Sequence, residues 1–175
     1  MAREPCSGTI TATMNLENVA DDGWPPQRVG STNPRVINAV YGAYHAVTRR
    51  LDVATRQHGL EAGEALVLAV VLREPGCSPG QIRFELGLHR STLSSILDRL
   101  EEDGLIHRAS SSFDGRRFEI SLTSAGRIAA EIAEFVIHDI EAEIATYSSR
   151  AERAGARAVF EACVAIGRPG RQTER

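Results

Sequence analysis

"LGLHRSTLSSILDRLEEDGLIHRASSSFDGRRFEISLTSAGR", residues Leu86 to Arg127, holds two apolar patterns of different period in close succession. From His89 to about Asp103, Leu93, Ile96, Leu97 and Leu100 recur at threes and fours. That spacing predicts a helix with one apolar face, and Gly104 stands where such a helix stops. From Arg117 the period drops to two. Phe118, Ile120 and Leu122 alternate with Arg117, Glu119 and Ser121, the pattern of a half-buried strand. Asp114-Gly115 just before it is a tight-turn signal. The expected hairpin pairs Leu105 to Ser110 with Arg117 to Leu122, and Ser111 to Arg116 form its loop. The adjacent Arg116 and Arg117 therefore project from an exposed tip.

Upstream, Ser78-Pro79-Gly80-Gln81 has Ser at a cap, Pro at the first helical position and Gln three after the cap, a capping-box start for a short helix that Gly87 ends. A short helix, a tight turn and an amphipathic helix make a helix-turn-helix candidate. Before it, a long helix is expected from after Pro34 to His58-Gly59, with Ile37, Val40, Tyr44, Val47, Leu51 and Ala54 as a packing seam. A second, largely buried helix runs from about Glu61 to Arg73 and carries Leu66, Val67, Val70 and Val71. After the hairpin, Thr123 caps a long helix in which Ile128, Ile132, Val136, Ile140 and Ile144 recur every four residues. Ser148-Ser149 breaks it. A last helix from about Arg150 carries Val159, Phe160, Cys163, Val164 and Ile166 before Gly167 and Pro169. The order describes a mainly α fold with a small β-hairpin: a winged helix-turn-helix core, about 60–123, flanked by helices at about 33–58 and 124–167. Residues 1–31 mix Gly, Pro, Asn, Asp and Ser without periodicity and read as a disordered N-terminal arm, with 32–175 as a single domain.

The chain has 175 residues, 42% of them hydrophobic, and a formal net charge of −3, so charge gives no global pull toward nucleic acid. Every basic side chain is arginine, which excludes a phosphate-binding P-loop lysine and lysine Schiff-base chemistry. Cys6, Cys77 and Cys163 have no metal-ligand spacing, and the five histidines sit on separate elements, so neither a metal site, a cofactor nor an enzyme is expected. Without an apolar signal core or membrane-span run, cytoplasmic residence away from any membrane is the expectation.

On the fourth helix, opposite its apolar face, a step of about 100° per residue places Ser91, Ser95 and Asp98, with Ser94 at the margin. Small hydroxyl side chains allow close entry to a groove and hydrogen bonds to base edges or phosphates. His89 and Arg90 sit at the positive end of the helix dipole, while Asp98, Glu101, Glu102 and Asp103 lie at the other end. Between Ser78 and Arg117, Arg83, Arg90, Arg99, Arg108, Arg116 and Arg117 are balanced by Glu85, Asp98, Glu101, Glu102, Asp103 and Asp114. Taken alone, such a helix reads first as an ordinary solvated one.

The stretch resembles the core of the MarR family of bacterial transcription regulators. The matching pieces are Leu86-Gly87-Leu88, Arg99-Leu100-Glu101, Gly104-Leu105-Ile106, Asp114 with Arg116, and Leu122-Thr123 with Gly126. The resemblance implies a homodimeric, ligand-responsive repressor of a pseudo-palindromic double-stranded DNA operator. Its first and last two helices would form the dimer base, its fourth helix would enter the major groove, and the hairpin would be a wing whose Arg116, oriented by Asp114, enters the minor groove. Candidate DNA contacts are then His89, Arg90, Ser91, Ser94, Ser95, Arg99, Asp114, Arg116 and Arg117. The family's ligand site lies between the first, second and fifth helices. That places the polar flank of Tyr41, His45, Thr48 and Asp52 near it, with Arg49 beside and Ala65 leaving room opposite, and points to a small aromatic acid or phenol as effector. Tyr41 and His45 are equally ordinary packing residues.

Glu61 and Ala65 depart from the family's usual cap and aromatic, and Arg83 stands where a small residue is usual. Either Arg83 snorkels outward or the local packing differs. Two other readings stay open: a winged-helix protein-interaction module without specific DNA binding, and a redox-sensing regulator. For the latter Cys77, in a loop, is the more exposed candidate, Cys163 lies on an apolar face, and Cys6 is in the arm.

Overall fold

The computed structural model describes residues 35–110 and 118–167, and every element below belongs to the unit Val36–Arg175. Helix α1 spans Val36–Thr55 and tightens into a 3-10 turn at Arg56–His58. Gly59, at φ 74°, reverses the chain in the left-handed region where glycine carries no side-chain penalty. Buried Thr55 fastens this corner: its Oγ1 lies 2.9 Å from both the Leu51 and Leu60 carbonyls and donates to them.

Helix α2, Ala62–Arg73, is the centre of the molecule. Ala65, Val67, Leu68, Val70 and Val71 are all buried, so its apolar surface runs around the axis instead of along one stripe. Helix α3, Pro79–Leu86, starts from the expected capping box: Ser78 Oγ accepts the Gln81 N–H, and Gln81 Oε1 accepts the Ser78 N–H. Gly87, at φ 64°, ends it. Helix α4 spans Arg90–Glu102.

Strands β1, Ile106–Ser110, and β2, Phe118–Leu122, pair antiparallel in the register Ile106 with Leu122 and Arg108 with Ile120. Leu105 precedes the strand. Its N–H bonds the Leu100 carbonyl and its own carbonyl accepts from Thr123, so it belongs to the helix-terminating turn. Of the three residues expected on the covered strand face, Ile120 is buried, Leu122 is half-buried and Phe118 is exposed, because the hairpin runs outward beyond the core. The Ile120 N–H also bonds the Cys77 carbonyl, and the Ile120 carbonyl accepts from Gly76, docking β2 against the segment between α2 and α3. The expected loop, with Asp114, Arg116 and Arg117, and the expected N-terminal arm lie outside the described residues.

Thr123 caps α5, Ser124–Tyr147, by accepting the Gly126 N–H, and α6 follows over Arg150–Ile166. One core cluster gathers Val67, Leu68, Ile82, Leu93, Leu97, Leu100, Ile106 and Ile120; a second joins Leu51 and Ala54 of α1 to Val136 and Ile140 of α5. Much of the rest of the expected helical seams is uncovered among the described residues. Ile37, Tyr44, Ile128, Ile144 and Tyr147 are exposed, and α6 has no buried residue.

Gly126 sets how closely α5 approaches the turn before β1. A Cβ there would stand 1.7 Å from the Leu105 carbonyl oxygen, an overlap with backbone that no rotamer relieves. Gly126→Ala is expected to destabilise the fold by about 3 kcal/mol. Urea unfolding checks it, as a lowered midpoint at unchanged slope.

Candidate nucleic-acid interface

Helix α4 meets the core through Leu93, Leu97 and Leu100, each at most 3% exposed, and turns Ser91, Ser94, Ser95 and Asp98 outward. Ile96, expected on the covered face, is only half-buried. It sits at the edge, where it packs against the backbone of α2: a Cβ added to Gly63 would meet Ile96 Cδ1 at 3.1 Å. His89 occupies the N-cap in extended conformation with no side-chain cap to the helix; its Nδ1 lies 3.0 Å from Ser91 Oγ instead. Ser95 Oγ donates to the Ser91 carbonyl, one turn back. The first turn of α4 thus presents backbone donors, hydroxyls and the exposed Arg90 on one surface, a combination suited to an anionic partner.

The opposite end is partly neutralised from within. Arg108 of β1 reaches Asp98 Oδ1 at 2.6 Å and Glu101 Oε2 at 3.2 Å. Arg99, next to Ser95 around the helix, is engaged by α2, with its guanidinium 2.9 Å from Glu61 Oε1 and 2.8 Å from Glu64 Oε1. Glu85 pairs with Arg73 at 2.7 Å. Several of the acids that cancelled the basic charge in the sequence are therefore held by arginines, while Arg83 and Arg90 stay exposed.

Of the nine candidate DNA contacts, five come together on α4: His89, Arg90, Ser91, Ser94 and Ser95. Arg99 does not join them. Its carboxylate partners tie α4 to α2, and the hydrogen bond from Arg99 holds the Glu61 carboxyl below its ordinary range. The α1 candidates Tyr41 and His45 form an edge-on ring pair 4.3 Å apart, with Arg49 exposed one turn further. Asp52, the end of that flank, accepts the Ala62 N–H at 2.7 Å, and Ala65 is fully buried within α2. A cleft of about 1090 Å³ opens elsewhere, between the end of α2, α3 and α6, lined by Val70, Cys77, Phe84, Phe160 and Val164. Cys77 corrects an expectation. It is 4% exposed beneath β2, and burial pushes its thiol above the ordinary value, opposite to what a reactive thiolate needs. Cys163 is half-buried.

The sequence reading named Arg108, Asp52 and Glu61 without their partners, and did not single out Glu64. Glu61-x-x-Glu64 is readable as a capping box, and both of its hydrogen bonds are present. The Arg108 pairing depends on strand register, which no local pattern specifies.

Comparison with known proteins agrees with this geometry. The family model described as "MarR family" matches residues 58–117, a span that takes in α2, α3, α4 and β1. Over those residues the chain is similar to the MarR family. Among similar proteins, the HTH-type transcriptional regulator TtmR of Methylorubrum extorquens is 37% identical over 97 residues, covering 55% of this chain and 50% of TtmR. The chain thus spans about half the length of that curated relative. The fold is shared with Staphylococcus aureus MepR in its DNA complex, at TM-score 0.65 and 20% identity over 78% of this chain and 100% of MepR. It is shared as well with the Mycobacterium tuberculosis MarR family protein Rv2887 in complex with salicylic acid, at TM-score 0.55 and 20% identity over 75% and 98%.

The Arg99–Glu61 pair carries a pH signature. Because the folded carboxyl of Glu61 is depressed, the stability it adds is present above the unfolded carboxylate's ordinary pKa and is lost as pH falls through the folded value. Arg99→Gln is expected to flatten that acid-side fall in thermal midpoint while lowering the midpoint near neutral pH. Melting curves between pH 3 and pH 7, on the order of one carboxylate titration wide, check it.

Proposed function

We propose that this chain is a MarR-type regulator: a sequence-specific double-stranded DNA-binding transcription regulator, acting in the cytoplasm as a homodimeric, ligand-responsive repressor of a pseudo-palindromic operator. The observation that carries this reading is the charge sorting on α4. Its acids Asp98 and Glu101 are held by Arg108, while its hydroxyl-rich first turn with Arg90 faces outward. A local donor surface survives on a chain of net charge −3. The names of the similar proteins support it, as regulators and, for MepR, a complex with DNA.

Arg90, Ser91, Ser94 and Ser95, with His89 at the cap, read the major groove. Arg116 enters the minor groove under the orientation of Asp114, and Arg117 holds a flanking phosphate. The winged core spans about 60–123. The flanking helices, about 33–58 and 124–167, join two copies: the exposed apolar residues Ile37, Tyr44, Ile144 and Tyr147 find no cover among the described residues. An aromatic acid or phenol stacks on Tyr41 and pairs with His45 or Arg49 near Ala65. The salicylic acid bound to the similar Rv2887 supports this ligand class.

Light scattering at micromolar concentration should report twice the chain mass of 19.0 kDa; a monomer with a full helical signal counts against the dimer. A duplex selected from random sequence should carry two half-sites roughly 34 Å apart. On that duplex Arg90→Ala or Ser95→Ala is expected to relax preference at central half-site bases, and Arg116→Ala at the outer edges, each losing about 1–3 kcal/mol. Arg117→Ala should weaken all duplexes alike and flatten the salt slope. A chain that retains no duplex under any salt condition is an interaction module instead.

A further inference from the structure

Three helices meet at the first turn of α2. Asp52 of α1 accepts the Ala62 N–H at 2.7 Å, and Glu64 Oε2 accepts the Glu61 N–H at 2.8 Å. Arg99 of α4 then closes on the same turn, at 2.9 Å from Glu61 and 2.8 Å from Glu64. Glu64 is 2% exposed, so its carboxylate has lost most of its water and depends on the Arg99 cation. One turn earlier on α4, Ile96 abuts Gly63 closely enough that a Cβ would meet it at 3.1 Å. Two contacts one turn apart, one ionic and one steric, define the rotation of α4 about its own axis relative to α2. A shift of α2's first turn moves both together. Asp52 is the residue of α1 that grips that turn, and it ends the flank that carries Tyr41 and His45.

We propose that Asp52, Glu64 and Arg99 are positioning residues that transmit the setting of α1 to α4 through the first turn of α2, with Arg99 acting inside the protein and not on a DNA phosphate. The use of the relay rests on the regulator reading above. An effector seated on the Tyr41–His45 flank would act at Asp52, and the reading surface of Arg90, Ser91 and Ser95 would turn with α4.

Hydrogen–deuterium exchange of the full chain, without DNA, tests the relay. Asp52→Ala and Arg99→Gln should each speed exchange of the α4 amides from Ser95 to Glu102 at least about fivefold. The β1 and β2 amides should stay protected. Asp52→Asn keeps an acceptor oxygen and should restore the wild-type pattern. If Asp52→Ala also loses strand protection, Asp52→Glu is read in its place, since it displaces the acceptor by one methylene without removing it. Loosening of α2 with α4 protection unchanged overturns the proposal. On a duplex bound by the wild type, Arg99→Gln should lower affinity about tenfold at an unchanged slope of log affinity against log salt. A slope smaller by about one would make Arg99 a phosphate contact and overturn its positioning role. Failure of the wild type to bind any duplex would count against the regulator reading alone, because the exchange experiment contains no DNA.

Discussion

Helix α2 cannot exist with any side facing water. Its Val67, Leu68, Val70 and Val71 are each at most 1% exposed and point around the axis, so cover has to come from several directions at once. Each such side chain contributes about 1.5–3 kcal/mol when withdrawn from water. Helices α1, α3, α4, α5 and strand β2 all pack on it. The placement of α4, which carries the candidate reading surface, is thus a consequence of closing the shell around α2.

Closing that shell brings charged groups together as well as apolar ones. Arg108 and Arg99 reach carboxylates on both sides of α4, one set on the helix itself and one on α2. Surface ion pairs of this kind add little stability individually. Their larger effect is on the field. Two acids that would repel an anionic partner, Asp98 and Glu101, are paired with Arg108, and donors at the first turn of α4 remain outward. A net charge summed over the chain has no access to this, since it counts charges without asking which are already paired.

The same closing leaves apolar residues behind. The α1 seam is buried only at Leu51 and Ala54, and α6 is amphipathic with nothing fully covered. Helix periodicity identifies a face that needs a partner. It does not say whether that partner is in the same chain. Cys77 shows the converse: a loop residue next to Pro75-Gly76 looks exposed by composition, yet it is roofed by β2 through backbone hydrogen bonds to Ile120.

From the sequence alone came the order and type of the elements, most of their ends and the mainly α winged core. The signals for these are local: the Ser78 capping box, the Thr123 cap, the left-handed Gly59, Gly87 and Gly104, and the switch of apolar period after α4. The hydroxyl face of α4 was readable for the same reason, since residues of one helix keep a known angular relation. Tertiary structure alone decided which arginines are spent internally, that Asp52 caps a helix other than its own, that Ile96 is an edge residue and that Gly126 admits no side chain. Each of those depends on atoms from segments 10 or more residues apart, such as Asp52 and Ala62 or Arg99 and Glu61. Their meeting is determined by how the whole shell closes around α2, and no local pattern of residue types encodes that distance.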